Sequence, residues 1–180
     1  MEAPHVILLR GVNVGGANRI QMGPLRQALA DGGLRSVRTY VQSGNIVADW
    51  VGTSQLLVDR VRDTLRAGFG LSVAVTVRTG AELADVAARN PFPEQAQLGP
   101  KLLQVTFLEH AADPQRIERA AALAAGGERL VASGRELYTW HPDGIARSKL
   151  GLALAKTAPD GAATSRNWRT VNALLEMVRV

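Results

Sequence analysis

The sequence predicts an α+β protein made of two ferredoxin-like (split βαβ) subdomains with mainly antiparallel sheets, the second less regular, plus C-terminal helices. Two observations support this prediction. Residues 1–89 read as strand, helix, strand, strand, helix, strand, followed by a third helix. After a stretch at 90–100 that holds three Pro and one Gly, the chain repeats strand, helix, hairpin and helix. We therefore expect a first lobe at 1–89, a linker at 90–100, and a second α/β lobe with C-terminal helices at 101–180.

The first lobe opens with an apolar strand and a glycine-rich loop. Residues 6–9 form a continuous apolar run, which is typical of a buried central strand. Residues 11–18 hold three Gly and two Asn, a composition that predicts a loop. A helix follows, since Pro24 suits a first turn and three apolar residues share one helical stripe: Met22, Leu25 and Leu29.

The rest of the first lobe is predicted from periodicity and turn residues. Residues 37–41 and 46–48 flank a Ser-Gly-Asn turn and form a hairpin. A helix follows Thr53, with an apolar residue at every fourth position from 57 to 65. The strict alternation of residues 71–77 indicates a strand.

The second lobe is predicted from similar local signals. Thr79 and Glu82 form a capping-box pair that starts the third helix, and Asp113 followed by Pro114 starts another. Strands are expected at 102–108 and in a hairpin at 130–140, with helices around 146–156 and 166–178. The tetrapeptide Val-Gln-Ser-Gly at 41–44 returns as Val-Ala-Ser-Gly at 131–134, which favours two related lobes.

Charge is distributed unevenly along the chain. The net charge is +5, but residues 1–80 carry +4, residues 81–144 carry −3 and residues 145–180 carry +4. Basic ends favour an anionic partner, either a nucleic acid or a small phosphorylated molecule, although an Arg-rich and Ala-rich composition also follows from a GC-rich genome. An acid near the N-terminus, the end of the first apolar run at Arg10 and the absence of Cys lead us to expect a cytoplasmic protein with no membrane partner.

The topology predicts a ligand site beside the first strand. The loop that leaves this strand and the turn that leaves the second strand emerge at one sheet edge, so Arg10, Asn13, Asn18 and Arg19 should lie near Ser43 and Asn45. Backbone N–H groups at Gly11, Gly15 and Gly16 and the positive end of the next helix would suit an anion. The alternative is a tight connection in which Asn13 or Asn18 caps the helix.

A second group of polar residues is expected at two helix starts near the C-terminus. Ser148 and Lys149 open one helix, and Arg166 and Asn167 open the next. Cations are unfavourable at a helix N-terminus, so this pattern points to a bound anion or an acidic patch. The alternative is that serines cap these helices and the basic side chains point into water.

Several specific functions are excluded or disfavoured by the motifs. The glycine loop matches neither a dinucleotide-binding fingerprint nor a P-loop. His5, His110 and His141 lack metal-ligand spacing, and no nucleophile elbow occurs. The low aromatic content of 4% disfavours base stacking of the kind an RNA-recognition motif uses. We therefore expect no metal and no cofactor, and the catalytic residues of any enzyme activity are unassigned.

Five segments carry a resemblance to a known family. The opening segment at 8–16 with Met22 and Leu25, the segment at 37–45 and the later segments at 90–92, 143–150 and 164–170 resemble the bacterial family of uncharacterised proteins catalogued as domain of unknown function sixteen-ninety-seven. The resemblance implies two ferredoxin-like subdomains and no established activity. The family often carries Lys in the glycine loop, where this chain has Ala17 and Arg19, so only an electrostatic role would transfer.

These observations lead to one functional hypothesis and two alternatives. We expect a binding protein without chemistry of its own that holds a phosphate-bearing ligand, either a nucleotide or a nucleic-acid backbone. The expected ligand-binding residues are Arg10, Asn13, Gly15, Gly16, Arg19, Ser43, Asn45, Ser148, Lys149, Arg166 and Asn167. The alternatives are an enzyme acting on a phosphorylated or carboxylated metabolite, and a protein–protein adaptor whose acidic middle docks on basic ends.

Overall fold

The computed structural model describes residues 2–157 and 163–179 and divides the chain into two compact units. The first unit comprises Met1–Asp85 and Ala173–Val180, and the second comprises Val86–Asn172. The C-terminal segment is tied to the first unit by Arg38, whose Nη2 donates to the carbonyl oxygen of Met177 at 2.6 Å.

The first unit contains a four-stranded antiparallel sheet with the order β2-β3-β1-β4. Its elements are β1 (Ala3–Leu9), α1 (Met22–Asp31), β2 (Arg35–Tyr40), β3 (Asn45–Trp50), α2 (Ser54–Phe69), β4 (Val75–Thr79) and the start of α3 (Gly80–Ala88). As predicted, β1 is a central strand, and residues 5–9 of it are buried on both faces. One core joins the sheet to α1 and α2 through Ile7, Ile46, Leu25 and Leu57.

Local signals set the helix ends in this unit. The Thr53 hydroxyl accepts a hydrogen bond from Leu56 N at 3.2 Å, and Gly70, with φ +64°, ends α2. The capping box is confirmed, because Thr79 N donates to Glu82 Oε2 at 2.8 Å and Glu82 N donates to Thr79 Oγ1 at 3.1 Å.

The second unit repeats the same strand order as β6-β7-β5-β8. Its elements are α4 (Pro93–Leu98), β5 (Leu103–Leu108), α5 (Pro114–Ala121), β6 (Arg129–Ser133), β7 (Glu136–Trp140), α6 (Lys149–Thr157) after a short 3₁₀ turn, β8 (Ala163–Asn167) and the first residues of α7 (Trp168–Val178). Asp113 caps α5 as predicted, since its Oδ1 accepts from Gln115 N at 2.9 Å. Two antiparallel sheets with flanking helices confirm the α+β class and are consistent with two ferredoxin-like subdomains.

The strand β8 corrects the prediction that a helix begins at 166. Residues 163–167 pair with β5, with Thr164 opposite Phe107, and α7 starts only at Trp168. The helical periodicity of α7 led the prediction to include the two residues before it. Those residues form a strand because they pair with β5, which lies about sixty positions earlier in the chain. The second unit therefore completes the same strand–helix order as the first.

One smaller prediction is also corrected. The strand predicted at 71–77 begins only at Val75, because its partner β1 ends at Leu9, opposite Val75. Leu71 and Val73 pack on the core without strand pairing, which explains their alternation. Both repeated tetrapeptides lie at hairpins, as predicted, since 41–44 form the turn between β2 and β3, and 131–133 end β6 with residue 134 in the turn before β7. Among the described residues, no helix has the length and apolar character needed to cross a bilayer.

Candidate functional site

The loop between β1 and α1, residues 10–21, is called the glycine loop here and is much longer than its counterpart in the second unit. The glycine loop has twelve residues, whereas five residues, 109–113, join β5 to α5. Most connections of this kind have about 2–6 residues. Since the same fold closes with five residues in the second unit, the fold does not require the extra length.

Asn13 holds the glycine loop in shape. Its Oδ1 accepts from Ile20 N at 2.9 Å, and its Nδ2 donates to the carbonyl oxygens of Ile20 at 2.9 Å and Gln42 at 2.7 Å. The last bond ties the loop to the 41–44 turn, so these two segments meet at one edge of the sheet. Asn13 also has a φ of +55°, which Asn tolerates better than most residues.

Asn18 has a similar supporting role. Its Nδ2 donates to the carbonyl oxygen of Gly11 at 3.2 Å, and its φ is +48°. The amide groups of Asn13 and Asn18 are thus bonded to the main chain of the loop and the neighbouring turn. Neither residue caps α1, whose N-cap Gln21 makes no side-chain capping bond.

Arg10 and Arg19 supply the charge of the glycine loop. Arg10 is half-buried and Arg19 is exposed, and neither guanidinium makes a hydrogen bond or ion pair with another residue in the part of the chain that the structure describes. The glycine loop and the 41–44 turn contain no Asp or Glu. The loop therefore carries two positive charges that no acid within either segment offsets.

A cavity of about 530 Å³ lies against this loop and is lined by Asn13, Gly16, Arg19, Ile20 and Gln21. Gly15 and Gly16 have φ values of +59° and +81°, and their N–H groups donate to no other described residue. The helix α1 begins directly after Gln21 with no acid in its first turn. Its N-terminal N–H groups and positive dipole end thus add to the charge of Arg19.

Ser43 and Asn45 were also predicted as ligand contacts. Ser43 lies in the turn that Asn13 contacts. Asn45 is the first residue of β3, is 1% exposed, and donates from Nδ2 to the carbonyl oxygen of Tyr40 at 3.2 Å. Asn45 therefore closes the β2–β3 hairpin from within the fold, and a ligand on the surface could reach it only after that hairpin opened.

In the second unit, Ser148 and Lys149 stand at the start of α6. Ser148 is the residue before α6, and its Oγ accepts from Gly151 N at 2.7 Å. It is 3% exposed, so its hydroxyl serves the fold. Lys149 is the first residue of α6 and is exposed.

Arg166 and Asn167 lie in β8 and not at the start of a helix. Arg166 Nη1 donates to Thr164 Oγ1 at 2.7 Å and to the Ser165 carbonyl at 2.8 Å, and burial lowers its pKa to about 10, so it stays charged at neutral pH. Asn167 caps α7, since its Oδ1 accepts from Thr170 N at 2.9 Å. Arg166 was expected at a helix N-terminus, where the dipole is unfavourable for a cation and a bound anion would offset it. Because Arg166 lies in a strand, this argument for an anion does not apply to it.

The sequence analysis missed a buried polar network in the second unit. His141 and Thr139 are each 1% exposed, and the His141 ring contacts Thr139 Oγ1 at 2.8 Å through Nε2 and Glu128 Oε1 at 3.4 Å through Nδ1. Ser148 also hydrogen-bonds to Glu128. No sequence spacing indicates this network, because Glu128 and His141 are thirteen positions apart on different segments.

The charge state of this network follows from burial and hydrogen bonding. Burial lowers the pKa of His141 below its usual 6.5, and the Glu128 carboxylate only partly offsets this effect. Burial acts to raise the pKa of Glu128, but bonds from Ser148, the Ala125 N–H and His141 bring it below 4.5. A neutral His141 beside an ionised Glu128 donates a hydrogen bond from Nδ1 to the carboxylate and accepts one at Nε2 from the Thr139 hydroxyl.

A hydroxyl, an imidazole and a carboxylate in this order resemble a hydrolase triad. Catalysis would require substrate to reach the hydroxyl, and Thr139 and His141 are both buried. The network connects the residue before α6 to the end of β7. Within the described residues, no group of three or more His, Asp or Glu side chains is placed to hold a metal ion.

The fold and the glycine loop define an α+β protein with two similar antiparallel sheets and an acid-free, cationic loop on the first. The chain belongs to the family described as Protein of unknown function (DUF1697), whose family model matches residues 3–138. Among solved structures, it is similar to the conserved bacterial protein SP0830 from Streptococcus pneumoniae, with 20% sequence identity, a TM-score of 0.81 and coverage of 100% of both chains. This likeness shows the shared fold. No curated protein matches the chain.

Proposed function

We propose that this protein binds a phosphate-bearing ligand at the glycine loop, with Arg10 and Arg19 as the cationic contacts and without chemistry of its own. The observation that carries the proposal is a loop whose shape is held by Asn13 and Asn18, while its guanidinium groups make no internal ion pair among the described residues. The corresponding connection in the second unit has five residues, whereas this loop has twelve.

Three kinds of donor in this loop suit a phosphate. The guanidinium of Arg19 offers a planar set of N–H groups that matches two phosphate oxygens. The N–H groups of Gly15 and Gly16 are available for hydrogen bonding, and the start of α1 adds a positive dipole end. The cavity of about 530 Å³ along these residues provides space for a small anion.

Binding without reaction is supported by the residue types present. Neither the glycine loop nor the 41–44 turn contains His, Asp, Glu, Lys or Cys, so these segments supply no general base. The groups with shifted pKa values, Glu128, His141 and Arg166, do not line the loop cavity. The alternative of an enzyme predicts a titratable group of this kind in the pocket.

The test is the affinity of three Arg variants for inorganic pyrophosphate, measured by calorimetry at low salt. Arg10→Ala and Arg19→Ala should each weaken binding by about tenfold or more, because each removes a charged hydrogen bond. Arg60→Ala is the matched control, since Arg60 is an exposed arginine on α2 outside the loop. All three variants should keep the circular dichroism spectrum of the parent protein.

Two results would count against the proposal. Equal affinity in the parent and in both loop variants would show that the pyrophosphate binds elsewhere. Loss of the folded spectrum in Arg10→Ala and Arg19→Ala would instead make these residues part of the scaffold.

A further inference from the structure

Val41 occupies a backbone conformation that valine disfavours. Its φ is +51°, and its side chain is 54% exposed. A positive φ is uncommon for any residue other than Gly, and for a β-branched residue it is a genuine outlier. Such strain persists where something besides the local backbone preference favours the residue.

Contacts within the fold explain the backbone conformation of the 41–44 turn, but they do not explain why residue 41 is a valine. The carbonyl of Gln42 accepts from Asn13 Nδ2 at 2.7 Å, and the carbonyl of Gly44 accepts from Leu9 N at 2.8 Å. Both bonds use main-chain atoms of the turn. Asn or Gly at position 41 would allow the same turn with less strain.

Val41 lies beside the glycine loop. Gln42 is bonded to Asn13, which lines the loop cavity, and chain dimensions place the Val41 Cα within about 9 Å of Asn13 Nδ2. Val14, the residue after Asn13, is 63% exposed. One exposed valine therefore lies within the cationic loop, and another lies in the turn that Asn13 joins to this loop.

We infer that the ligand of the glycine loop is a phosphate ester whose other part is aromatic or apolar, of which a nucleoside monophosphate is the simplest form, and that Val41 contacts this part. The inference rests on the proposed function and deepens it. Arg10 and Arg19 would bind the phosphate, and Val41 and Val14 would cover one face of the base. Burial of part of a valine side chain against a base explains why a strained valine is kept at this position.

The experiment compares three ligands by calorimetry: inorganic phosphate, ribose 5-phosphate and adenosine 5′-monophosphate. The parent protein should bind adenosine 5′-monophosphate about threefold to tenfold more tightly than ribose 5-phosphate, which lacks the base. Val41→Asn should abolish this preference while the affinity for ribose 5-phosphate changes less than about twofold. Its melting temperature should rise by about 2–4 °C, because Asn tolerates a positive φ.

Ser36→Asn is the matched control, because Ser36 also has a positive φ, +50°, but lies within β2. It should raise the melting temperature and leave all three affinities unchanged. Val14→Thr is a second variant, which keeps the shape of the side chain and should also weaken the preference for adenosine 5′-monophosphate.

The outcomes separate this inference from the proposed function. Equal affinity of the parent for ribose 5-phosphate and adenosine 5′-monophosphate, lost in Arg19→Ala, would overturn the inference and leave the phosphate site standing. A preference that survives in both Val41→Asn and Val14→Thr would also overturn it. Absence of binding by all three ligands would overturn the inference, and absence of pyrophosphate binding as well would overturn the proposed function.

Discussion

The side chain of Asn13 makes three hydrogen bonds to main-chain groups on two segments, and Arg19, six positions later, makes none to the described residues. In the glycine loop, Asn13 thus fixes the backbone conformation, whereas Arg19 supplies positive charge. Amide side chains suit the first task because one amide both donates and accepts, as Asn13 does toward Ile20. Arginine suits the second because its charge persists at any physiological pH.

Asn13→Asp tests the supporting role of the amide. A carboxylate cannot donate to the carbonyl oxygens of Ile20 and Gln42, so two hydrogen bonds are replaced by repulsive contacts. The free energy of unfolding in urea should fall by about 2–3 kcal/mol. Asn167→Asp is the control and should change stability little, because Asn167 Oδ1 only accepts in the contacts it makes with Thr170. Equal losses in both variants would contradict this role for Asn13.

Gly44→Ala and Gly11→Ala separate steric crowding from backbone strain. Both glycines have a φ near +65°, but an added Cβ at Gly44 would lie 2.6 Å from Val12 Cγ2 and 2.7 Å from Leu9 Cβ, whereas at Gly11 it meets open space. Gly11→Ala should cost about 1 kcal/mol of unfolding free energy and Gly44→Ala about 3 kcal/mol. Chemical denaturation measures both values, and equal costs would mean that the turn yields to the added methyl group.

At the scale of elements, the start of α6 depends on a network that joins it to β7 and to the segment before β6. Ser148 accepts from Gly151 N and also bonds to Glu128, which contacts His141 after β7. The cap of one helix is thereby linked to a half-buried carboxylate and a buried imidazole. A change in the charge of His141 should therefore alter the stability of the first turn of α6.

Acidification should therefore destabilise the protein through this network. Folding lowers the pKa of His141, so the unfolded chain binds protons more readily, and stability present above about pH 6.5 is lost as the pH falls through the folded-state value. The lowered pKa of Glu128 adds a further loss as the pH falls below 4.5. The measurement is the free energy of unfolding in urea between pH 7.5 and pH 4.

Two histidine variants test whether His141 causes the loss of stability below pH 6.5. His141→Gln should remove the part of the pH dependence that begins near pH 6.5, because Gln does not titrate. His110→Gln should retain it, since His110 is exposed. An unchanged profile in His141→Gln would show that other groups cause the loss.

At the scale of the whole molecule, the net charge of +5 allows long-range attraction of anions, but its arrangement argues for a local site. The central segment at 81–144 has a net charge of −3. A nucleic-acid backbone would need many phosphate contacts along a basic surface. The glycine loop offers two arginines.

The salt dependence of binding tests this contrast. For a ligand held by two arginines, the logarithm of the binding constant should fall with the logarithm of salt concentration with a slope of about −2 or shallower. Calorimetry with pyrophosphate and with a single-stranded oligonucleotide across a salt series measures both slopes. A slope of about −5 or steeper for the oligonucleotide would instead indicate a nucleic-acid backbone bound along several basic residues.

The sequence by itself determined the features whose partners are close along the chain. The capping box of Thr79 and Glu82, the Asp113 cap and the apolar periodicity of α2 all depend on residues two to four positions apart, and each is present. The central position of β1 followed from a continuous apolar run, because only a strand buried on both faces has no polar alternation. The order of these elements was sufficient for the fold class.

Only the tertiary structure decided the features that join distant segments. β8 exists because residues 163–167 meet β5, and Asn13 is a supporting residue because it meets Gln42. The positive φ of Val41 and the contact between His141 and Glu128 likewise arise from neighbours that no local pattern records. Hydrogen-bond partners and burial depend on which segments the folded chain brings together, and these set whether a polar side chain supports the fold or remains available to a ligand.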